Sequence, residues 1–300
     1  MILTGIGDEA GNRIETQIKA TLDLGWSHIE ARNVEVEGFK KGNFHDIPEA
    51  AFDLVREKLE VSGVQIYCFG STIANWGKTI DQPFDLSELD RAIPRMQKLG
   101  TKFIRIMSYA IREDDNQMEV ERFRRVREIT RRCLDAGIQP LHENCMNYGG
   151  MGFPYTLELL ENVPGLKLVF DTANPVFNDD RTKPKPRPKQ DPWEFWTHVK
   201  SHVEHIHVKD AIWHPEKNDA DYTFPGEGDA AVERILCDAF ESGFDKGISI
   251  EPHMTVVFHD SKSEATEEDM FENYVEYGRK LMALIDKIKG QSAQTPKVEE

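Results

Sequence analysis

Six times along the chain an amphipathic helical segment stops at a glycine and a short, apolar, β-rich run begins almost at once. The marks are Gly25 (DLGW), Gly63 (VSGV), Gly100 (KLGT), Gly137 (DAGI), Gly165 (VPGL) and Gly243 (ESGF). Glycine is the residue that most easily takes the left-handed conformation just past a helix end, so each mark reads as the close of a helix and the opening of a strand. The intervals are 38, 37, 37, 28 and 78 residues, the last of them two units with one glycine missing. Such a period is that of a repeated βα unit. Strands are predicted at 2–7, 27–32, 64–70, 102–108, 138–143, 167–171, 204–209 and 247–251. Helices fall near 13–24, 48–61, 86–98, 116–136, 154–162, 193–202, 229–242 and 264–289, several of them opened by Asp or Pro, as at Ile47-Pro48 and Asp191-Pro192. Strict alternation requires parallel crossovers, and eight units in about 250 residues predict a closed α/β barrel, a single (β/α)8 TIM barrel over residues 1–289. An open doubly wound sheet is the alternative, and no G-x-G-x-x-G follows the first strand to favour it.

Two segments stand outside the repeat. Residues 178–192 (NDDRTKPKPRPKQDP) are too polar and proline-rich for regular structure and predict a long loop on the C-terminal face of the barrel, either a spacer or an anion-attracting wall. The segment 290–300 (GQSAQTPKVEE) has almost no apolar content and is expected to be a disordered tail.

Composition limits the partners. Lys and Arg number 37 against 53 Asp and Glu, a net charge of −16 that repels phosphate backbones and anionic lipid surfaces, so neither nucleic acid nor a membrane is expected. The four cysteines (Cys68, Cys133, Cys145, Cys237) form no C-x-x-C pair, and no apolar run approaches the length of a membrane span. A cytoplasmic protein acting on a small molecule is expected.

In a barrel of this kind chemistry sits where the strands end at the C-terminal face. The fifth strand finishes in His142-Glu143-Asn144, the sixth in Phe170-Asp171-Thr172, the seventh carries His205-Ile206-His207-Val208-Lys209, and the eighth ends in Ile250-Glu251-Pro252-His253. Glu143, Asp171, His207 and Glu251 on four adjacent strands would crowd like charges unless a cation or protons neutralise them, which predicts one divalent metal ion. Mixed oxygen and nitrogen ligands suit Mn²⁺, the first expectation here, and also Mg²⁺, Co²⁺ or Zn²⁺. Period-two alternation puts His205, His207 and Lys209 on one face with His205 a layer deeper. Asn174, Lys209, His253, Glu30 and Trp213 are candidate substrate contacts. Arg32 and Arg105 are further candidates for hydroxyls or anions, Arg105 more naturally as a buried ion pair. Cys145 has no base beside it in this pattern and reads as passive.

These blocks carry a resemblance. GDEAG at the first strand, HIEARNV at the second, HEN at the fifth, FDTANP at the sixth, HIHVKD at the seventh, the PGEGD loop (225–229) and IEPH at the eighth resemble the sugar phosphate isomerase/epimerase family with the xylose isomerase-like barrel. That family includes ketose 3-epimerases, hydroxypyruvate isomerase and inosose dehydratase. The resemblance implies metal ligands at Glu143, Asp171, His207 and Glu251, with Glu143 and Glu251 as the catalytic acid/base pair. It implies a metal-dependent isomerase or epimerase of carbohydrate metabolism, which moves a proton next to a carbonyl through an enediolate. It also leaves a homo-oligomer open, since relatives often dimerise or tetramerise. The histidine and arginine that some of the epimerases place after the sixth and seventh strands are missing; Asn174 and Lys209-Asp210 stand there. A metal-dependent dehydratase or lyase, acting on an inosose-like polyol or a 3-keto-glycoside, begins with the same proton abstraction and is the alternative. An abasic-site endonuclease would need more metal ligands and a basic face, and a metal-free sugar-binding barrel would be indifferent to a chelator.

Overall fold

The computed structural model describes residues 1–255 and 265–294. Its centre is an eight-stranded parallel sheet built from β1 (Ile2–Gly5), β2 (His28–Ala31), β5 (Gln65–Gly70), β6 (Phe103–Ile106), β7 (Gln139–Glu143), β8 (Lys167–Asp171), β9 (Val203–Val208) and β12 (Gly247–Ile250). The strands run in the order β1-β12-β9-β8-β7-β6-β5-β2, and a parallel bridge between Ile6 and Glu30 draws the two ends together into a nearly closed barrel. Around it lie α1 (Ile14–Asp23), α2 (Glu49–Ser62), α3 (Ser87–Leu99), α4 (Glu119–Asp135), α5 (Phe153–Asn162), the short α6 (Asn174–Phe177), α7 (Pro192–Val199), α8 (Val232–Glu241) and α9 (Glu267–Gln294). All eight strands and eight outer helices lie where the repeat predicts them, with ends moved by a few residues, as fraying ends commonly are.

The punctuation works as expected. Gly25, Gly63, Gly100, Gly137, Gly165 and Gly243 all have φ between 71° and 86°. The unit without its glycine closes differently, through a turn of 3₁₀-helix at Lys200–His202 after α7. Asp191 caps the other end of that helix, accepting a hydrogen bond from the Glu194 amide at 2.9 Å.

Between barrel and helices the core is aliphatic and aromatic. Phe44 packs edge-on against both Phe52 and Phe69, with centroids 6.0 and 5.1 Å apart. Inside the barrel the filling is different: Thr4, Glu30, Arg105, His205, His207 and Ser249 are buried polar groups. No described helix is long and apolar enough to cross a membrane.

Three features depart from expectation. Two antiparallel hairpins have no counterpart in the predicted elements: β3 (Asn33–Val36) with β4 (Phe39–Asn43), and β10 (Asp210–His214) with β11 (Asp219–Thr223). Each follows a barrel strand at its C-terminal end and forms a two-stranded sheet of its own, the first also bridged at Glu35 to Arg13. The expected tail also begins too early, because α9 continues through Gln294; Gln and Ala favour a helix, and the first proline is Pro296. Residues 295–300 lie outside the described residues.

Gly63 and Gly290 give a paired test. Nothing lies within 4 Å of a Cβ added at either, but Gly63 has φ 72° whereas Gly290 sits inside α9. Gly63→Ala is expected to destabilise by about 1–2 kcal/mol, and Gly290→Ala to stabilise by about 0.5–1 kcal/mol. Urea denaturation of the two variants reads the opposite signs.

Candidate active site

Strand register brings the predicted quartet together. Asp171 lies beside His207 and His207 beside Ser249, while Glu143 closes β7 and Glu251 follows β12. One ligand atom each from Glu143, Asp171, His207 and Glu251 falls within 4.8 Å of all the others, and all four residues are buried. The Nδ1 of His207 is 3.9 Å from Glu143 Oε1 and 3.7 Å from Glu251 Oε2, and it has no hydrogen-bond partner. Its other ring nitrogen is tied down: Nε2 donates to the Glu30 carboxylate at 3.0 Å, and His205 Nε2, one layer deeper as alternation requires, donates to the same carboxylate at 2.8 Å. Burial works against the charged form of His207, but the Glu30 carboxylate outweighs it and raises the imidazole to about 9.

Each glutamate of the quartet is held through both oxygens. Arg105 donates to Glu143 Oε2 at 3.0 Å and Asn174 to Oε1 at 3.2 Å. On the other side, Arg32 Nη1 donates to Glu251 Oε1 at 3.0 Å, joined there by His253 Nε2 at 3.1 Å, and Lys209 Nζ donates to Oε2 at 3.2 Å. Arg32 also reaches Asp8 Oδ1 at 2.9 Å and Glu9 Oε1 at 3.1 Å, and Lys209 also reaches Asp171 Oδ2 at 2.8 Å. Burial disfavours the Glu251 carboxylate, yet Lys209, His253 and His207 keep it well below the usual range. Asp171 goes the other way: burial, resisted by Lys209 and helped by Glu251, raises it to about 7. His253 has φ 53°, a conformation that costs roughly 1–3 kcal/mol for a non-glycine residue. Its amide on Glu9 Oε2 at 2.7 Å and its ring between Glu9 and Glu251 hold it there.

A cleft opens above the quartet. Glu143, Glu251, Asn174, Lys209 and His253 line it, with Arg32, Arg105 and Trp76. Two expected substrate contacts do not reach it. Glu30 is fully buried beneath His207: two residues before Arg32 on the same face, it lies a layer deeper in the barrel, as His205 does below His207. Trp213 lies on β10, which leaves the barrel; its ring packs under Lys189, 4.3 Å from the ammonium. None of the basic residues of loop 178–192 lines the cleft either, and Lys189 is paired with Asp179 at 2.8 Å. Cys145 does line it, but burial pushes its thiol up, in keeping with a passive group.

Other lining residues escaped the sequence reading. Asn43 and Tyr222 come from the two hairpins, Met107 and Met146 from the loops after β6 and β7, and Phe177 from α6. The alternation of Asn33-Val34-Glu35-Val36 before Gly38 was the available signal for the first hairpin. Asp8 and Glu9 lie inside the GDEAG block, whose role as a carboxylate clamp on Arg32 becomes visible only when β1 and β2 meet.

The geometry agrees with comparisons to known proteins. A structure of a D-tagatose 3-epimerase-like protein superposes with a TM-score of 0.69 at 15% identity, over 97% of this chain and 100% of that one. A xylose isomerase-like TIM barrel protein from Mycobacterium smegmatis in complex with magnesium gives 0.66 at 16% identity, over 95% and 97%. A probable 3-DHS dehydratase from Bacillus anthracis gives 0.64 at 15% identity, over 90% and 97%. At these identities the likeness is one of fold. No curated protein matches the sequence. The model of one family, described as the xylose isomerase-like TIM barrel, matches residues 18–274. With that match over most of its length, and the barrel seen strand by strand, the chain belongs to the xylose isomerase-like TIM barrel family.

Proposed function

We propose that the protein is a divalent-metal-dependent isomerase or epimerase of a sugar or keto-polyol, working by proton transfer at a carbon next to a carbonyl. The observation that carries this reading is the orphaned Nδ1 of His207, buried and aimed between the carboxylates of Glu143 and Glu251. Asp171 Oδ2, 2.8 Å from the Lys209 ammonium, lies in the same buried cluster. Three carboxylates and one imidazole form a donor set that fits a hard or borderline divalent ion, Mn²⁺ first among them. Glu143, Asp171, His207 and Glu251 would hold it. Bound there, the ion supplies positive charge to the substrate's carbonyl oxygen as the neighbouring C–H gives up its proton.

The chain's own residues do the rest. Glu143 and Glu251 face each other across His207, so one takes the proton from one side of the substrate carbon and the other returns it from the opposite side. Arg105 and Asn174 fix the first carboxylate, Arg32, His253 and Lys209 the second, so neither has to be ordered when substrate arrives. Glu30 holds the Nε2 proton of His207 and so presents Nδ1 to the metal position, a carboxylate–histidine–metal relay rather than a substrate contact. Lys209 gives a second reading some footing: its ammonium lines the cleft beside Glu251 and could assist a departing oxygen, which would make the enzyme a dehydratase or lyase.

The deciding experiment is metal analysis together with solvent-deuterium incorporation into ketoses, keto-polyols and 3-keto-glycosides, with and without a chelator. Exchange that disappears with the chelator is expected, and the product separates epimer from elimination product; a protein that neither binds metal nor exchanges any substrate refutes the reading. At saturating Mn²⁺, Glu143→Gln and Glu251→Gln should each lower kcat by about 10²–10⁴ with an unchanged far-UV spectrum; full activity in either removes that residue from the acid/base pair. Glu30→Gln should weaken Mn²⁺ binding by roughly 10–100-fold in calorimetry.

A further inference from the structure

The floor of the cleft keeps a charge account that bears on what can enter it. Six carboxylates converge there: Asp8, Glu9, Glu30, Glu143, Asp171 and Glu251, all buried. The permanent cations among them are Arg32, Arg105 and Lys209, and each is already committed. Arg32 touches Asp8, Glu9 and Glu251 at 2.9, 3.1 and 3.0 Å. Arg105 touches Glu143 at 3.0 Å, and Lys209 touches Asp171 and Glu251 at 2.8 and 3.2 Å. The imidazoles are committed too, His205 and His207 to Glu30 and His253 to Glu9 and Glu251, so among the described residues every cation of the floor faces a carboxylate and none is left for an incoming anion.

We propose that the substrate carries no anionic group, neither phosphate nor carboxylate. This rests on the function proposed above and narrows its substrate class to uncharged keto-polyols and their uncharged glycosides. An anion entering the cleft would be buried without a counter-ion, which is strongly unfavourable. Among the described residues the surrounding walls offer no remedy. On one side Asn33, Asn43 and Asn75 present amides suited to hydroxyls; on the other Met107, Met146, Phe177 and Tyr222 present apolar surface suited to the C–H face of a polyol. The basic loop 178–192, the one stretch of sequence that suggests an anion wall, contributes nothing to the lining.

The test uses matched pairs, each a neutral ketose or keto-polyol and its phosphate ester, offered to the Mn²⁺-loaded protein in D₂O. Exchange into the neutral member is expected to exceed that into the ester by on the order of 100-fold in kcat/KM, as one uncompensated buried charge implies. Equal or faster exchange into the esters overturns the proposal and leaves the proton-transfer chemistry standing. A second arm needs no turnover: inorganic phosphate is titrated against the metal-free protein, where it has no ion to ligate, and the melting temperature is read. No shift is expected for the wild type, and a rise in its melting temperature overturns the proposal. Absence of exchange with every substrate would refute the proton-transfer function instead, and the phosphate arm would still decide the substrate charge.

Discussion

Crowding of carboxylates beneath one barrel mouth is the constraint from which the rest of the site follows. Like charges at such distances are tolerated only where each finds a positive partner, and every partner here comes from a different part of the chain. Arg32 follows β2, Arg105 lies in β6, Lys209 follows β9, and His253 is brought back by a strained turn after β12. The ring of strands thus serves as an electrostatic frame as much as a hydrogen-bonded one. Removing any one strand would unbalance two or three side chains on others.

The same crowding explains why the barrel interior is polar. Interiors of this fold are commonly filled by branched aliphatic side chains in layers. Here the layer under the quartet is Glu30 with His205, the two hydrogen-bonded to each other and Glu30 also to His207 above, and Tyr67 packs against His205 with centroids 5.1 Å apart. A polar layer costs stability compared with aliphatic packing, and what it provides is orientation: His207 has one nitrogen spoken for and one facing the quartet.

How far the sequence discloses this can be followed residue by residue. The glycine punctuation opens six of the eight barrel strands, the strand ends then put Glu143, Asp171 and Glu251 at the mouth, and period-two alternation puts His207 there with His205 below it. Depth is harder than side. Glu30 and Arg32 share a face in HIEAR, but Glu30, two residues earlier, lies a layer deeper under His207 while Arg32 reaches the cleft. Trp213 misleads for another reason: beyond Val208 the chain leaves the barrel, and pairing with Ala220 rather than the barrel period sets where its ring points. Neither hairpin repeats elsewhere in the chain, so a method founded on repeats passes over both.

That independence of the hairpins has a consequence of its own. Each donates a residue to the cleft, Asn43 from β4 and Tyr222 from β11, yet their ladders close on themselves and share no rung with the barrel. Asn33, which donates to Asp8 at 2.7 Å, ties the first hairpin to the carboxylate frame; elsewhere in the two hairpins a change of length or composition would reshape a wall and leave the ion pairs beneath it in place. The walls of the cleft are thus physically separable from the carboxylate frame beneath them, and one can be altered without dismantling the other.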